Sequence, residues 1–166
     1  AGTIQGEPNL AGFVNSLLLS GTENKSSTQI QDDLNDLGAY VDVEIGQEVA
    51  IVSLFCLRQY IEQAVDIIAD ALNNLSFHAH EVDDMLREKK QAYLVSSEKV
   101  NILARRAFQT QMFTNSERYK RMMSLSDFDK VSIPELKRFH KNFYLNGLTK
   151  IVITANEIAF NPRVFS

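Results

Sequence analysis

Two segments with the patterns of β-strands, the first alternating and the second apolar throughout, follow each other directly in this chain, with no helical segment between them. Over residues 41–45, apolar side chains alternate with acidic ones, which is typical of a strand with one face in water. Gly46-Gln47 suits a two-residue hairpin turn. Residues 48–56 return as a strand that is apolar on both faces, so we expect it to lie inside a sheet. Strands joined by a hairpin are antiparallel, which excludes a doubly wound parallel sheet.

Segments with the helical spacing of apolar residues surround this hairpin. The predicted elements are a helix over 9–20, a helix from the capping box Ser26-x-x-Gln29 to Gly38, helices over 59–75 and 81–113 with a break near Ser96-Ser97, a helix from the capping box Ser132-x-x-Glu135 to Tyr144, and a strand over 150–155. This order predicts one α+β domain over residues 1–166, with helices packed on one face of a mostly antiparallel sheet.

Composition supports a packed core, because 45% of the 166 residues are hydrophobic. The single cysteine, Cys56, cannot form a disulfide within the chain, and its apolar segment predicts a small core residue rather than a catalytic one. No apolar run approaches the roughly 20 residues that span a bilayer, and no signal-peptide pattern opens the chain. Since the chain starts at Ala1 without a methionine, we expect a trimmed chain, a fragment of a longer protein or a tagged one; the sequence indicates no compartment.

The net charge of −4 is divided unevenly along the chain. Residues 1–85 hold two basic and fourteen acidic side chains, a net charge of −12, whereas residues 86–166 hold fifteen basic and seven acidic ones, a net charge of +8. Separate solvated faces, or two halves that face each other, explain such a division most simply, and a charged surface for a partner is the alternative. Nucleic acid is not an expected partner, because the whole chain is acidic.

The residues show none of the usual signatures of catalysis, such as a glycine-rich phosphate loop, a nucleophile elbow or a Cys-x-x-Cys pair. His78 and His80 stand beside Glu81 at a helix start, but positions two apart do not share a helix face. The position of Glu81 is explained by the helix macrodipole. His140 has no second ligand at suitable spacing, and we expect it at the surface or half-buried. Adjacent acids such as Asp32-Asp33 fit capping and solvation.

The segment from Gly12 to Thr22, followed by a helix that closes with Leu37-Gly38-Ala39, resembles the opening of the pitrilysin/insulinase family of zinc peptidases. In that family an apolar helix ends in Gly-Thr, a polar loop follows, and the next helix closes with Leu-Gly-Ala. The likeness continues through Ala64–Leu72, residues 113–119 and the segment from Val131 to Ile153. The order and spacing of these pieces, more than any single one, carry the resemblance.

Active members of that family carry His-x-x-Glu-His on the first helix, where two histidines bind zinc and the glutamate activates the zinc-bound water. The corresponding positions here hold Gly12, Asn15 and Ser16, none of which can replace its counterpart. The third zinc ligand of the family is a glutamate that would fall near Ala92-Tyr93, and the nearest carboxylate is Glu88. The resemblance therefore implies no catalytic residue, and no zinc, in this chain.

The resemblance also implies a function: a non-catalytic domain that pairs with a zinc-bearing homologous domain to form a peptide-binding chamber. Arg118 and Tyr119 match the tyrosine-bearing loop of the family and are the candidate substrate-binding residues, although a solvated basic turn explains them more simply. Zinc is expected only in the catalytic partner. Two alternatives remain: a scaffold protein that keeps the fold without a role in proteolysis, and an unrelated enzyme that uses His78, His80 and Glu81.

Overall fold

The computed structural model describes residues 9–46, 49–113, 123–147 and 150–154. Its elements in chain order are α1 (Leu10–Leu17), α2 (Ser27–Asp36), β1 (Tyr40–Ile45), β2 (Ala50–Phe55), a 3-10 turn (Arg58–Tyr60), α3 (Ile61–Asn73), α4 (Ala79–Ser97), α5 (Val100–Met112), α6 (Leu125–Phe128), α7 (Ile133–His140) and a π-helical turn (Lys141–Leu145). The α+β class predicted from the sequence is confirmed.

The helix ends follow the local chemistry predicted from the sequence. Ser26 caps α2 in a capping box with Gln29, and Ser132 forms the same arrangement with Glu135 at the start of α7. After α2, Gly38 has a φ of 59°, a left-handed conformation that glycine adopts at little cost. The expected break in the long helical stretch lies directly after Ser97, between α4 and α5.

The sheet of the described residues is a two-stranded antiparallel hairpin in which Tyr40 pairs with Phe55 and Val43 pairs with Val52. The expectation that the second strand lies inside a sheet was wrong, because Ile51 and Phe55 are exposed. One face of β2 packs on helices and the other faces solvent, so its apolar residues do not mark a central strand. The strand predicted over 150–155 was also wrong for residues 150–154, which form no strand and have no neighbouring strand among the described residues.

The main hydrophobic core is built around α1, which packs against α7, α4 and β1. Phe13, Val14 and Leu17 of α1 are almost completely buried, and Phe13 meets Phe128 at a ring-centroid distance of 5.6 Å. The first helix therefore holds the hairpin on one side and the last helices on the other. Because these contacts hold α1 in place, the residues of α1 that lie outside the core also have fixed positions.

A second core cluster lies between α2, α3 and the hairpin, where Ile30, Leu34 and Ile68 are buried. Cys56 is a free thiol that packs against this cluster, but it is half-buried rather than the core residue that the sequence predicted. Burial raises its pKa. Of the described helices, none is long and apolar enough to cross a membrane.

Candidate functional site

A groove opens between α1, β1 and α4 and encloses about 370 Å³. It is lined by Asn9, Gly12, Asn15, Ser16, Leu19, Val43, Ile45 and Lys89. Gly12, Asn15 and Ser16, the three residues that the resemblance matches to the zinc motif, all contribute to its wall.

Asn15 is the buried polar residue of this wall, with 7% of its surface exposed. Its Nδ2 donates to the backbone carbonyl of Val43 at 3.4 Å, and its Oδ1 accepts from the Tyr144 hydroxyl at 3.2 Å. The side chain thus joins three elements: the first helix, the first strand and the π-helical turn. A neutral amide that both donates and accepts here suits structural bridging and cannot serve as a general base.

Tyr144 completes this bridge from the last helical segment. Its hydroxyl lies 3.4 Å from the carbonyl oxygen of Ala11, which offers a second acceptor on the same helix. Burial raises the pKa of Tyr144 well above its usual range, because the phenolate would lose its hydration. The phenol therefore stays protonated, and it can donate its hydrogen bond throughout the ordinary pH range.

Gly12 and Ser16 flank Asn15 on the groove side of α1. A Cβ at position 12 would overlap the side-chain amide of Asn9, whose Nδ2 lies 3.0 Å from the Met123 sulfur. Ser16 is exposed, and its hydroxyl donates to the carbonyl of Gly12 at 2.9 Å within the helix. Neither position offers a side-chain nitrogen to a metal.

The resemblance predicts the third zinc ligand near Ala92-Tyr93, and the structure shows packing contacts in this region. The Tyr93 hydroxyl donates to the Met123 carbonyl at 3.0 Å, and its ring packs edge-on to Phe128 at 5.7 Å. Glu88 is exposed and lines a separate surface pocket with Ala92, outside the groove of α1. A catalytic zinc site needs three protein ligands, and the residues at all three positions do not fit one. No catalytic step can therefore be assigned to a metal at this groove.

Lys89 supplies the charge of the groove. It projects from α4 and is the one ionisable residue among the lining residues, beside the amide of Asn9, the hydroxyl of Ser16 and the apolar side chains of Val43 and Ile45. Such a lining can hydrogen-bond a peptide backbone and contact apolar side chains, but it contains no nucleophile–base pair. Sequence reasoning missed Lys89 and Tyr144, because neither lies near the motif in the chain.

The histidine cluster does not form a metal site in the described part of the chain. His78 and His80 stack at 5.7 Å, and His80 Nε2 lies 3.5 Å from a Glu81 carboxylate oxygen. The same carboxylate oxygen accepts from the Ser27 hydroxyl at 3.4 Å. Among the residues that the structure describes, no group of three or more His, Cys, Asp or Glu side chains is arranged to hold a metal.

The expectation of a surface or half-buried His140 was wrong, since this side chain is only 4% exposed. Its ring stacks on Tyr144 at 5.8 Å and meets Phe77 edge-on at 5.5 Å. Among the residues that the structure describes, the imidazole Nε2 has no hydrogen-bond partner. Burial lowers the pKa of His140, although a hydrogen bond with the Leu72 backbone opposes this effect. His140 follows the buried Phe139 on a helix that is covered on more than one side, which the spacing of its apolar residues did not reveal.

The two candidate substrate-binding residues, Arg118 and Tyr119, lie outside the described residues. Their role remains a prediction from the resemblance. The described part of the site thus consists of the groove wall on α1, the facing strand β1 and Lys89 of α4.

Comparison with solved structures supports the fold. A peptidase M16 inactive domain from Pseudomonas fluorescens superposes with a TM-score of 0.78 at 20% identity, over 84% of this chain and 35% of that one. A protease from Helicobacter pylori gives a TM-score of 0.72 at 12% identity, over 87% of this chain and 36% of that one. The chain therefore spans about a third of each of these structures.

Comparison with known sequences supports the family. A probable mitochondrial-processing peptidase subunit beta from Arabidopsis thaliana is 25% identical over 85 residues, which are 49% of this chain and 16% of that protein. The family model of insulinase, peptidase family M16, matches residues 1–123, about three quarters of the chain. On this match the chain belongs to the insulinase family of peptidases.

Proposed function

We propose that residues 1–166 act as a single non-catalytic domain, which pairs with a zinc-bearing homologous domain and forms one wall of a peptide-binding chamber. In this arrangement the partner supplies the zinc and the hydrolytic chemistry. This chain supplies shape and contacts for the peptide. Its partner belongs either to another chain or to a linked domain, and zinc is required only there.

The observation that carries this proposal is the state of Asn15. The residue at the position of the general base is buried and committed to Val43 and Tyr144 through two hydrogen bonds. In this proposal Asn15 has a structural role rather than a chemical one, while the groove around it stays open at about 370 Å³. An open groove without catalytic groups, in a domain of a peptidase family, is suited to holding a peptide that another domain cleaves.

The lining of the groove supports a peptide as the bound molecule. Asn9 and Ser16 offer hydrogen-bonding groups, Val43 and Ile45 offer apolar surface, and Lys89 offers one positive charge. Peptide sites combine these features, because the backbone needs polar partners and the side chains need apolar ones. The curated relative from Arabidopsis thaliana is described as a subunit of a processing peptidase, which supports a role within an assembly.

The test is co-purification with a zinc-bearing family member encoded in the same genome. The tagged chain should retain that partner at low salt and lose much of it near 1 M salt, where the Debye length falls to about 3 Å, if the uneven charge contributes to the interface. In the purified pair, Arg118→Ala or Tyr119→Phe should lower peptide turnover without changing the thermal midpoint. Ser27→Ala, a change on α2 away from the groove, serves as the control. Recovery without any family partner would favour the scaffold alternative.

A further inference from the structure

Lys89 lines the groove and has no ion-pair partner in the described part of the chain. The other lysine and arginine side chains of α4 are paired: Arg87 with Asp84, and Lys90 with Asp129 at 2.8 Å. Residues three and four positions away are neighbours on a helix surface. Around Lys89 these positions hold Met85, Leu86, Ala92 and Tyr93. None of them is acidic, so α4 itself does not neutralise this charge.

The other elements around the groove also bring no negative charge to it. Val43 and Ile45 of β1 face the groove. Because side chains alternate along a strand, Asp42 and Glu44 lie on the opposite face of the hairpin. Glu88 of α4 lines the separate surface pocket. The described lining of the groove therefore carries a single charge, which is positive.

The uncharged part of the lining suits a short stretch of peptide. The Asn9 amide and the Ser16 hydroxyl can hydrogen-bond a peptide backbone, and Leu19 and Val43 offer apolar surface. At about 370 Å³ the groove is at the small end of the range of ligand sites, roughly 300–1,000 Å³. A carboxylate in this groove gains a charge-assisted hydrogen bond from the ammonium, whereas a basic side chain is repelled by it.

We infer that the groove selects peptides with an acidic side chain, whose carboxylate pairs with the Lys89 ammonium. The inference rests on the proposed function for its class of ligand, a peptide that runs through the chamber. The carboxylate is accordingly that of an Asp or Glu side chain and not that of a chain end. Lys89 is then a specificity-determining residue. Because Lys89 is exposed, the expected effect is modest, about a two- to fivefold change in affinity.

The test is an NMR titration of the full chain, labelled with nitrogen-15, with short peptides that are acetylated and amidated at their ends. The peptides share one sequence of alanine, valine and serine and differ in the central residue, which is Glu, Gln or Lys. The central residue is therefore the only position that can carry a charge. Binding in the groove should shift the side-chain amide signals of Asn9 and Asn15, which line it. Shifts confined to residues outside the lining would overturn the inference.

The Glu peptide should bind about two- to fivefold more tightly than the Gln peptide at low salt, and the Lys peptide should bind most weakly. This preference should disappear in Lys89→Met, and also in 1 M salt, where the Debye length falls to about 3 Å. Lys89→Glu should favour the Lys peptide instead. Lys90→Met is the matched control, because Lys90 pairs with Asp129 outside the groove, and it should keep the preference. Circular dichroism confirms that each variant is folded.

Equal affinities for the Glu and Gln peptides, or a preference that persists in Lys89→Met, would overturn the inference. The absence of binding by any of the peptides would overturn it as well. The proposed function is judged separately, by the effect of the chain on peptide turnover by its partner. A chain that prefers the Glu peptide and leaves turnover unchanged would keep this inference and refute the proposed function. Higher turnover without any preference between the peptides would do the reverse.

Discussion

Replacing Asn15 with alanine tests whether this position has become structural. The substitution removes the donor to the Val43 carbonyl and the acceptor of the Tyr144 hydroxyl. The hydroxyl keeps the Ala11 carbonyl as an alternative acceptor at 3.4 Å, but the Val43 carbonyl loses its side-chain partner. Leaving a buried polar group unpaired costs about 1–3 kcal/mol, and we expect the free energy of unfolding to fall by that amount.

Ser16→Ala is the matched control, since Ser16 is exposed and only donates to the carbonyl of Gly12 in its own helix. Exposed substitutions of this kind usually change stability by less than about 0.5 kcal/mol. Urea unfolding followed by circular dichroism measures the free energy of unfolding of both variants. An unchanged dependence of that free energy on urea concentration shows that the comparison is valid. Equal stabilities of the Asn15→Ala and Ser16→Ala proteins would refute the structural role of Asn15.

Three further predictions concern pH, metal and activity. Burial lowers the pKa of His140 below its usual 6.5, and the Tyr144 ring that it faces stays neutral. The unfolded chain therefore binds the proton more readily than the folded one. The stability that is present above pH 6.5 should be lost as the pH falls toward the lowered pKa, by at most about 1.4 kcal/mol per pH unit. Thermal midpoints of wild type and His140→Phe between pH 5 and 8 should show this slope only in the wild type, and parallel curves would contradict it. The purified chain should hold no stoichiometric zinc by elemental analysis, and one tightly bound zinc per chain would disprove this. The triple variant Gly12→His, Asn15→Glu and Ser16→His should be less stable and hydrolyse no peptide, because the third ligand is absent; zinc-dependent cleavage by that variant alone would reveal a ligand elsewhere.

The helices were predictable from the sequence because their signals are local. The capping boxes at Ser26 and Ser132, and the left-handed Gly38, depend on side chains within a few residues of each end. The two strands of the hairpin were predictable for the same reason, because the signals of both lie within one short segment. The two-residue turn predicted at Gly46-Gln47 was wrong, since Ile45 pairs with Ala50. The pattern could not show that β2 would have one face in solvent, since that depends on which elements pack over it.

The candidate site was predictable in part. The resemblance identified Gly12, Asn15 and Ser16, and the structure places them together on the wall of one groove. The contacts of Asn15 with Tyr144, 129 residues away in the chain, could not be read from spacing. The burial of His140 was missed likewise, because it results from packing of distant segments rather than from the periodicity of its own helix.

The most direct test of the account is the rate of peptide cleavage by a zinc-bearing family member from the same genome, measured with and without this chain. If this chain forms one wall of the chamber, kcat/KM of the partner should rise with added chain and saturate at one chain per partner, while the chain alone cleaves nothing. The Asn15→Ala variant of this chain should raise kcat/KM of the partner only under conditions in which the variant remains folded. A cleavage rate that does not change at any ratio, or cleavage by this chain alone, would contradict the proposed role.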